Sequence, residues 1–184
     1  MRILAISGSL RRESHNTRLL RHLAEQAPPG IEIELWEGLR SIPPYDEDED
    51  REPAPAAVAE LRAAIAAADG LLFATPEYNS SVPGVLKNAI DWASRPPDQP
   101  FRGKPVAIAG ASMGGFGTVR AQYHLRQVMV YLDMFPLNKP EVLIGGASRK
   151  FDEQGRLTDE ATQKLVRQLM HDLVAWTRRL ALRS

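Results

Sequence analysis

Thr75-Pro-Glu-Tyr-Asn-Ser-Ser-Val-Pro-Gly-Val-Leu-Lys-Asn-Ala-Ile-Asp-Trp92 is the stretch from which the architecture is read. It follows Gly70-Leu-Leu-Phe-Ala74, an apolar run with the length of a buried strand. Pro76 has no N–H to give a sheet ladder, so the strand should end there. Glu77 to Ser81 read as a short polar loop, with Ser81 as the helix N-cap and Pro83 in the first helical turn. Val85, Leu86, Ala89, Ile90, Trp92 and Ala93 then share one side of a helix, with Lys87, Asp91 and Ser94 on the other. A buried strand, an exposed loop and an inward-facing helix make one unit of an α/β sheet, and such sheets bind ligands at the carboxyl ends of their strands.

The flanking sequence repeats the unit. Arg2 to Ser7 reads as a central strand, followed by a polar turn and a helix with Leu19, Leu20, Leu23, Ala24 and Ala27 on its spacing. Ile31 to Trp36 alternates as a half-exposed edge strand does. Gly38 to Pro53 is a loop whose acidic run, Asp46 to Asp50, is either simply solvated or a lid or subunit contact. Pro55 to Ala68 is a helix, Arg95 to Lys104 a proline-rich loop and Pro105 to Ala109 the fourth strand. A glycine-rich loop, Gly110 to Gly117, leads into a helix over Thr118 to Leu132. Met134 to Ile144 holds Pro136 and Pro140 and reads as an irregular strand near an edge. A loop follows, then a last helix with Thr158 as N-cap and Leu165, Val166, Leu169 and Leu173 inward. Five strands alternating with five helices over short connections predict a single three-layer α/β domain with a parallel sheet.

Composition narrows the function. The 184 residues carry 23 basic and 23 acidic side chains, so nothing suggests a general attraction to nucleic acid or to an anionic membrane. Absence of cysteine excludes disulfides, thiolate metal sites and a thiol nucleophile. The histidines show no metal-ligand spacing. No run has the length and apolarity of a membrane span or signal peptide, so a cytoplasmic protein is expected.

Three loops carry chemistry. Ser9, Arg11, Ser14, His15, Asn16 and Thr17 lie at a strand-to-helix turn, where unpaired N–H groups and partial positive charge suit a phosphate. Neither the Walker nor the dinucleotide glycine pattern is present, and on spacing alone plain helix capping by Ser14 is an equal reading. The Pro76 to Asn79 loop is the second. The third, Gly110-Ala-Ser-Met-Gly-Gly-Phe-Gly117, fits the Gly-x-Ser-x-Gly elbow of hydrolases around Ser112, with Asp159 and His171 later in hydrolase order. A histidine inside a helix, and a chain short for that fold, count against it.

Pro76 to Trp92 resembles the signature of the NAD(P)H-dependent FMN reductase family, and Gly8-Ser-Leu-Arg-x-x-Ser-x-Asn16 resembles its FMN-phosphate loop. The resemblance implies a flavodoxin-like fold with strand order 2-1-3-4-5. It implies non-covalent FMN, NADPH or NADH as co-substrate, and small acceptors such as quinones, flavins, azo compounds or chromate. Ser9, Arg11, Ser14, His15, Asn16 and Thr17 would take the phosphate. Pro76, Glu77, Tyr78 and Asn79 would lie along the ring, and Ser112, Gly114 and Gly115 would approach it by their backbone. No side chain is assigned to catalysis. A homodimer or homotetramer is implied, with Tyr78, Trp92 and the Thr118–Leu132 helix as contact surface. An electron carrier without nicotinamide turnover is the rival; such carriers are typically acidic, and this chain is neutral.

Overall fold

Alternate side chains of the central strands go to opposite faces of the sheet, and the two sets differ in size. Leu4, Ile6, Leu71, Phe73, Val106 and Ile108 build one core layer. Ile3, Ala5, Leu72, Ala74, Ala107 and Ala109 build the other. The computed structural model describes residues 1–182. In them the chain runs β1 (Arg2–Ser7), α1 (His15–Glu25), β2 (Glu32–Trp36), α2 (Ala56–Ala67), β3 (Gly70–Ala74), α3 (Gly84–Ala93), β4 (Pro105–Ala111), α4 (Val119–Tyr131), β5 (Phe135–Pro136), β6 (Val142–Ile144) and α5 (Glu160–Ala181). Helices α2, α3 and α4 cover the large-residue face. Helices α1 and α5 cover the alanine-rich face, where small side chains let them come close.

The sheet is parallel throughout in the order β2-β1-β3-β4-β5, with β6 also beside β4. This is the flavodoxin-like order expected from the sequence. Its fifth strand comes in two pieces. β5 pairs with Pro105 and Val106 at the start of β4, and β6 pairs with Ala109 to Ala111 at its end. The interruption falls at residues 137–141, where Pro140 has no N–H to continue a ladder. β4 itself runs two residues past the expected Ala109, because Gly110 and Ala111 find partners in Leu143 and Ile144.

Two expected caps are replaced. The N-cap of α3 is Pro83, with no side-chain hydrogen bond, while Ser81 pairs by its backbone with Tyr78 and by its hydroxyl with His124 Nδ1 at 3.0 Å. The N-cap of α5 is Asp159, whose carboxylate accepts from Thr162 N–H at 2.9 Å; Thr158 instead pairs with Lys150. Ser94, expected outward, is buried at the end of α3 and donates to Asp91 O. Trp92, named as a contact residue, is 1% exposed. It donates to Pro43 O at 2.9 Å and meets Tyr45 edge-on, so it belongs to the core and to no subunit surface.

Candidate functional site

The carboxyl ends of β1, β3 and β4 finish at one level. Ala74 lies between Ser7 and Ala109 in register, Gly8 N–H donates to Ala74 O and Thr75 N–H to Ala109 O. Three loops leave from this line, and side chains tie them. Asn16, 3% exposed at the start of α1, donates from Nδ2 to Ala111 O at 3.0 Å and accepts Ala111 N–H at 2.9 Å. It clamps the first loop to the end of β4 and keeps a spare amide N–H. Ser14 caps α1 by accepting from Asn16 and Thr17 N–H, which leaves its hydroxyl proton to donate. The Thr17 hydroxyl pairs with Ser7 Oγ at 2.8 Å, and Ser9 Oγ accepts from Arg11 N–H at 3.3 Å. Arg11 is exposed and forms no ion pair among the described residues.

The second loop is a miniature hairpin. Tyr78 and Ser81 exchange backbone hydrogen bonds of 3.1 and 3.0 Å around Asn79 and Ser80. Both central residues have positive φ, 50° and 62°, as a type I′ turn requires. The turn holds Tyr78 half-exposed at 50% and puts Asn79 at its tip. Glu77 points to α4. Its carboxylate accepts Arg120 N–H at 2.9 Å, Ala121 N–H at 3.1 Å and Arg120 Nε at 2.7 Å. Thr118 gives α4 no side-chain cap, so Glu77 satisfies those open donors from another loop. Burial pushes this carboxyl up, but the bonds from Ala121 and Arg120 outweigh it and hold it below the ordinary glutamate value. The cap joins residues 43 positions apart. A glutamate inside a polar loop was the only signal in the sequence.

The third loop is braced by the segment after β6. Ser112 N–H donates to Ile144 O, Gly146 N–H to Gly114 O and Ala147 N–H to Ser112 O. A Cβ on Gly145 would stand 2.5 Å from Gly115 O, and one on Gly117, at φ +58°, 2.4 Å from the Leu143 carbonyl carbon. These glycines are needed where two backbones touch. At Gly114 and Gly115 an added Cβ would meet nothing within 4 Å. Sequence reasoning found this loop and missed its brace, because Gly145-Gly146 stands 30 residues away with no chemical signature of its own.

Together the loops enclose a cleft of about 160 Å³ lined by Ser9, Arg11, Ser14, His15, Asn16, Pro76, Glu77, Tyr78, Ala111, Ser112 and Met113. Thr17, Asn79, Gly114 and Gly115 lie outside its lining. His15 packs on Phe151 with ring centroids 5.2 Å apart, and its Nδ1 is buried without a partner. Burial, with Arg18 and Arg11 adding to it, holds this imidazole below the ordinary histidine value, so it is neutral at pH 7. A buried Nδ1 with no acceptor favours the tautomer that carries its proton on Nε2. Hydrolase chemistry is absent here. Ser112 Oγ donates to Gly114 O at 3.1 Å, Asp159 caps α5, and His171 is an exposed helix residue beside Asp172. Among the described residues no cluster of three or more acidic or histidine side chains has the arrangement to hold a metal, and no helix is long and apolar enough to cross a membrane.

The family model for NADPH-dependent FMN reductase matches residues 1–149. An NAD(P)H-dependent FMN reductase of Pseudomonas aeruginosa is 57% identical over 98% of this chain and 97% of its own length. A quinone reductase of Escherichia coli K12 is 47% identical over 88% of this chain and 87% of its own. Among solved structures, a flavoenzyme NAD(P)H:(acceptor) oxidoreductase of Paracoccus denitrificans superposes with a TM-score of 0.88, at 34% identity over 97% of both chains. A chain with this sheet order, with three loops meeting at one cleft and with relatives matched along nearly its whole length belongs to the NADPH-dependent FMN reductase family, oxidoreductases that use FMN and NAD(P)H.

Proposed function

We propose that this protein holds one FMN non-covalently in the cleft and uses NAD(P)H to reduce quinones and related small acceptors, among them flavins, azo compounds and chromate. Bound there, FMN would supply the redox chemistry that links the nicotinamide to the acceptor. The chain's part is to bind, orient and polarise. Arg11, the α1 amides, the Ser9 and Ser14 hydroxyls and neutral His15 would hold the phosphate, with Asn16 and Thr17 keeping that turn in shape. The backbone of Pro76 to Asn79 and of Ser112 to Gly115 would meet the ring edges, and N–H groups left open there would offset the negative charge that reduction adds. Glu77 would keep the second loop in place through α4. No side chain is needed as acid or base.

The observation that carries this reading is the convergence of the three loops on one cleft. The fit of the cofactor is supported by the open space over Gly114 and Gly115 and by the exposed, unpaired cation of Arg11. The test is optical. The purified protein mixed with FMN should show a bound-flavin spectrum at one flavin per chain. That spectrum should bleach anaerobically with NADPH or NADH and recover on adding a quinone. A protein that acquires no flavin spectrum would refute it. Self-association as a dimer or tetramer, and a cytoplasmic location where NAD(P)H is supplied, belong to the same proposal. The outer face of α4 exposes Tyr123, Val130 and Tyr131, which suits a subunit contact. Light scattering at micromolar concentration should give a mass above the monomer's.

A further inference from the structure

β3 leaves the sheet through Thr75, a polar residue 0% exposed at the root of the second loop. Its N–H continues the ladder to Ala109 O at 3.0 Å, and its hydroxyl donates to Pro76 O at 2.8 Å. That bond holds the carbonyl of the Pro76–Glu77 peptide on the buried side, beside Gly8, where a Cβ would stand 3.3 Å from Thr75 Oγ1. The peptide is trans and planar, so its N–H, that of Glu77, points the opposite way. Pro76 and Glu77 both line the flavin cleft. Pro76 has no N–H, and those of Tyr78 and Ser81 are spent on the turn between them. The Glu77 N–H meets no acceptor among the described residues. It is the first open donor after β3. Thr75 sets its direction, while the Glu77 carboxylate is committed to α4.

We propose that Thr75 is a positioning residue for the flavin ring: its hydroxyl locks the Pro76–Glu77 peptide so that the Glu77 N–H faces the ring and favours the reduced form. This role rests on the flavin reading and gives one edge of the ring its donor. Two effects work together. The bond to Pro76 O keeps the peptide from turning over, which would put a carbonyl where the donor stands and repel the charge that reduction adds. It also polarises the peptide, since an amide whose carbonyl accepts a hydrogen bond donates more strongly at its N–H. Branching at Cβ leaves threonine few χ1 choices, which fixes the hydroxyl in place. The neutral oxidised ring gains less from the donor than the negative reduced ring, because bonds to charged groups are the stronger ones.

Two measurements test this without turnover. In the first, FMN is titrated in both oxidation states, and the midpoint potential of bound FMN is read against reference dyes. Thr75→Val keeps the shape of the side chain and removes the hydroxyl. It should bind oxidised FMN within about twofold of the parent and reduced FMN about tenfold more weakly, as the loss of one hydrogen bond to a charged group gives. For a two-electron couple that ratio corresponds to a potential about 30 mV lower. Thr75→Ser keeps the hydroxyl and should recover most of the difference. Equal losses in both states, or a serine variant no better than the valine one, would overturn the proposal and leave Thr75 a packing residue. The second measurement is amide NMR of the parent protein. The Glu77 N–H signal should move on adding FMN and again on reducing it, by more than that of Asn79 at the tip of the turn. A Glu77 signal that ignores the oxidation state would overturn the proposal whatever the variants do. Failure of the flavin reading would look different, as a parent protein that acquires no flavin spectrum.

Discussion

At the scale of single residues, the side chains most exposed to the cleft are those whose roles are easiest to isolate. Arg11 supplies a full positive charge beside the α1 N-terminus. Arg11→Ala should weaken FMN about ten- to a hundredfold, since a charged hydrogen bond contributes on the order of 1.5–3 kcal/mol. Riboflavin, which lacks the phosphate, should bind nearly unchanged, and fluorescence titration of both ligands separates the cases. Equal losses would mean that Arg11 supports the loop instead. Glu77 makes the opposite kind of contact, inward and to the protein itself. Glu77→Ala should cost about 1–3 kcal/mol in urea denaturation, because α4 loses the acceptor of its first N–H groups. The carboxyl titrates below its unfolded value, so its contribution is full above the ordinary glutamate range and fades as pH falls toward the folded value. Glu77→Gln should therefore flatten the acid side of the stability profile, and a slope unchanged from the parent would contradict this. Residue chemistry was readable in the sequence where it depends on type and local order, as for the Ser14 cap. It was not readable for Glu77 or Asn16, whose partners lie 43 and 95 positions away.

At the scale of elements, the two glycines that open and interrupt the β4 loop have different tasks. A Cβ at Gly110 would sit 1.9 Å from Thr118 Oγ1 and 2.7 Å from Thr75 O. Gly110→Ala should destabilise the fold by about 1–3 kcal/mol or more, as other overpacked cores do. Gly115→Ala meets nothing in the protein, so it should fold normally. If flavin comes close to that backbone, the same change should weaken FMN binding, so thermal melts and flavin titration should rank the two variants oppositely. Element type was legible because the strands are apolar runs of five to seven residues and the helices carry a clear apolar face. Element ends were less so. Ser81 looked like a cap by type, but the Asn79-Ser80 turn claims its backbone. The fifth strand looked irregular because of its prolines, and pairing with two separate parts of β4 could not be seen locally.

At the scale of the whole molecule, the proposed reading has one flavin cleft serve both the nicotinamide and the acceptor. The two should then take turns, and initial rates at several acceptor concentrations should give parallel double-reciprocal lines. Intersecting lines with a demonstrated ternary complex would exclude a shared face. The strand order was legible only through the family resemblance; alternation of strands and helices alone predicts a parallel sheet without an order. The absence of strong net charge also has a consequence at this scale. Attraction of anionic substrates must come from local arginine clusters, so its range is short and salt should affect KM more than kcat.

The Asn16–Ala111 clamp joins parts of the chain separated by more than half its length. Long-range contacts of this kind form late, because the intervening chain must first be ordered. A nascent or refolding polypeptide should thus complete α1 and the first three strands before it has anywhere to put a flavin, and cofactor uptake should report the last stage of maturation. Read backwards, the same link would make bound FMN a lock on the carboxyl end of β4. In hydrogen exchange, amides of β4 and β6 should gain more protection from added FMN than those of β2.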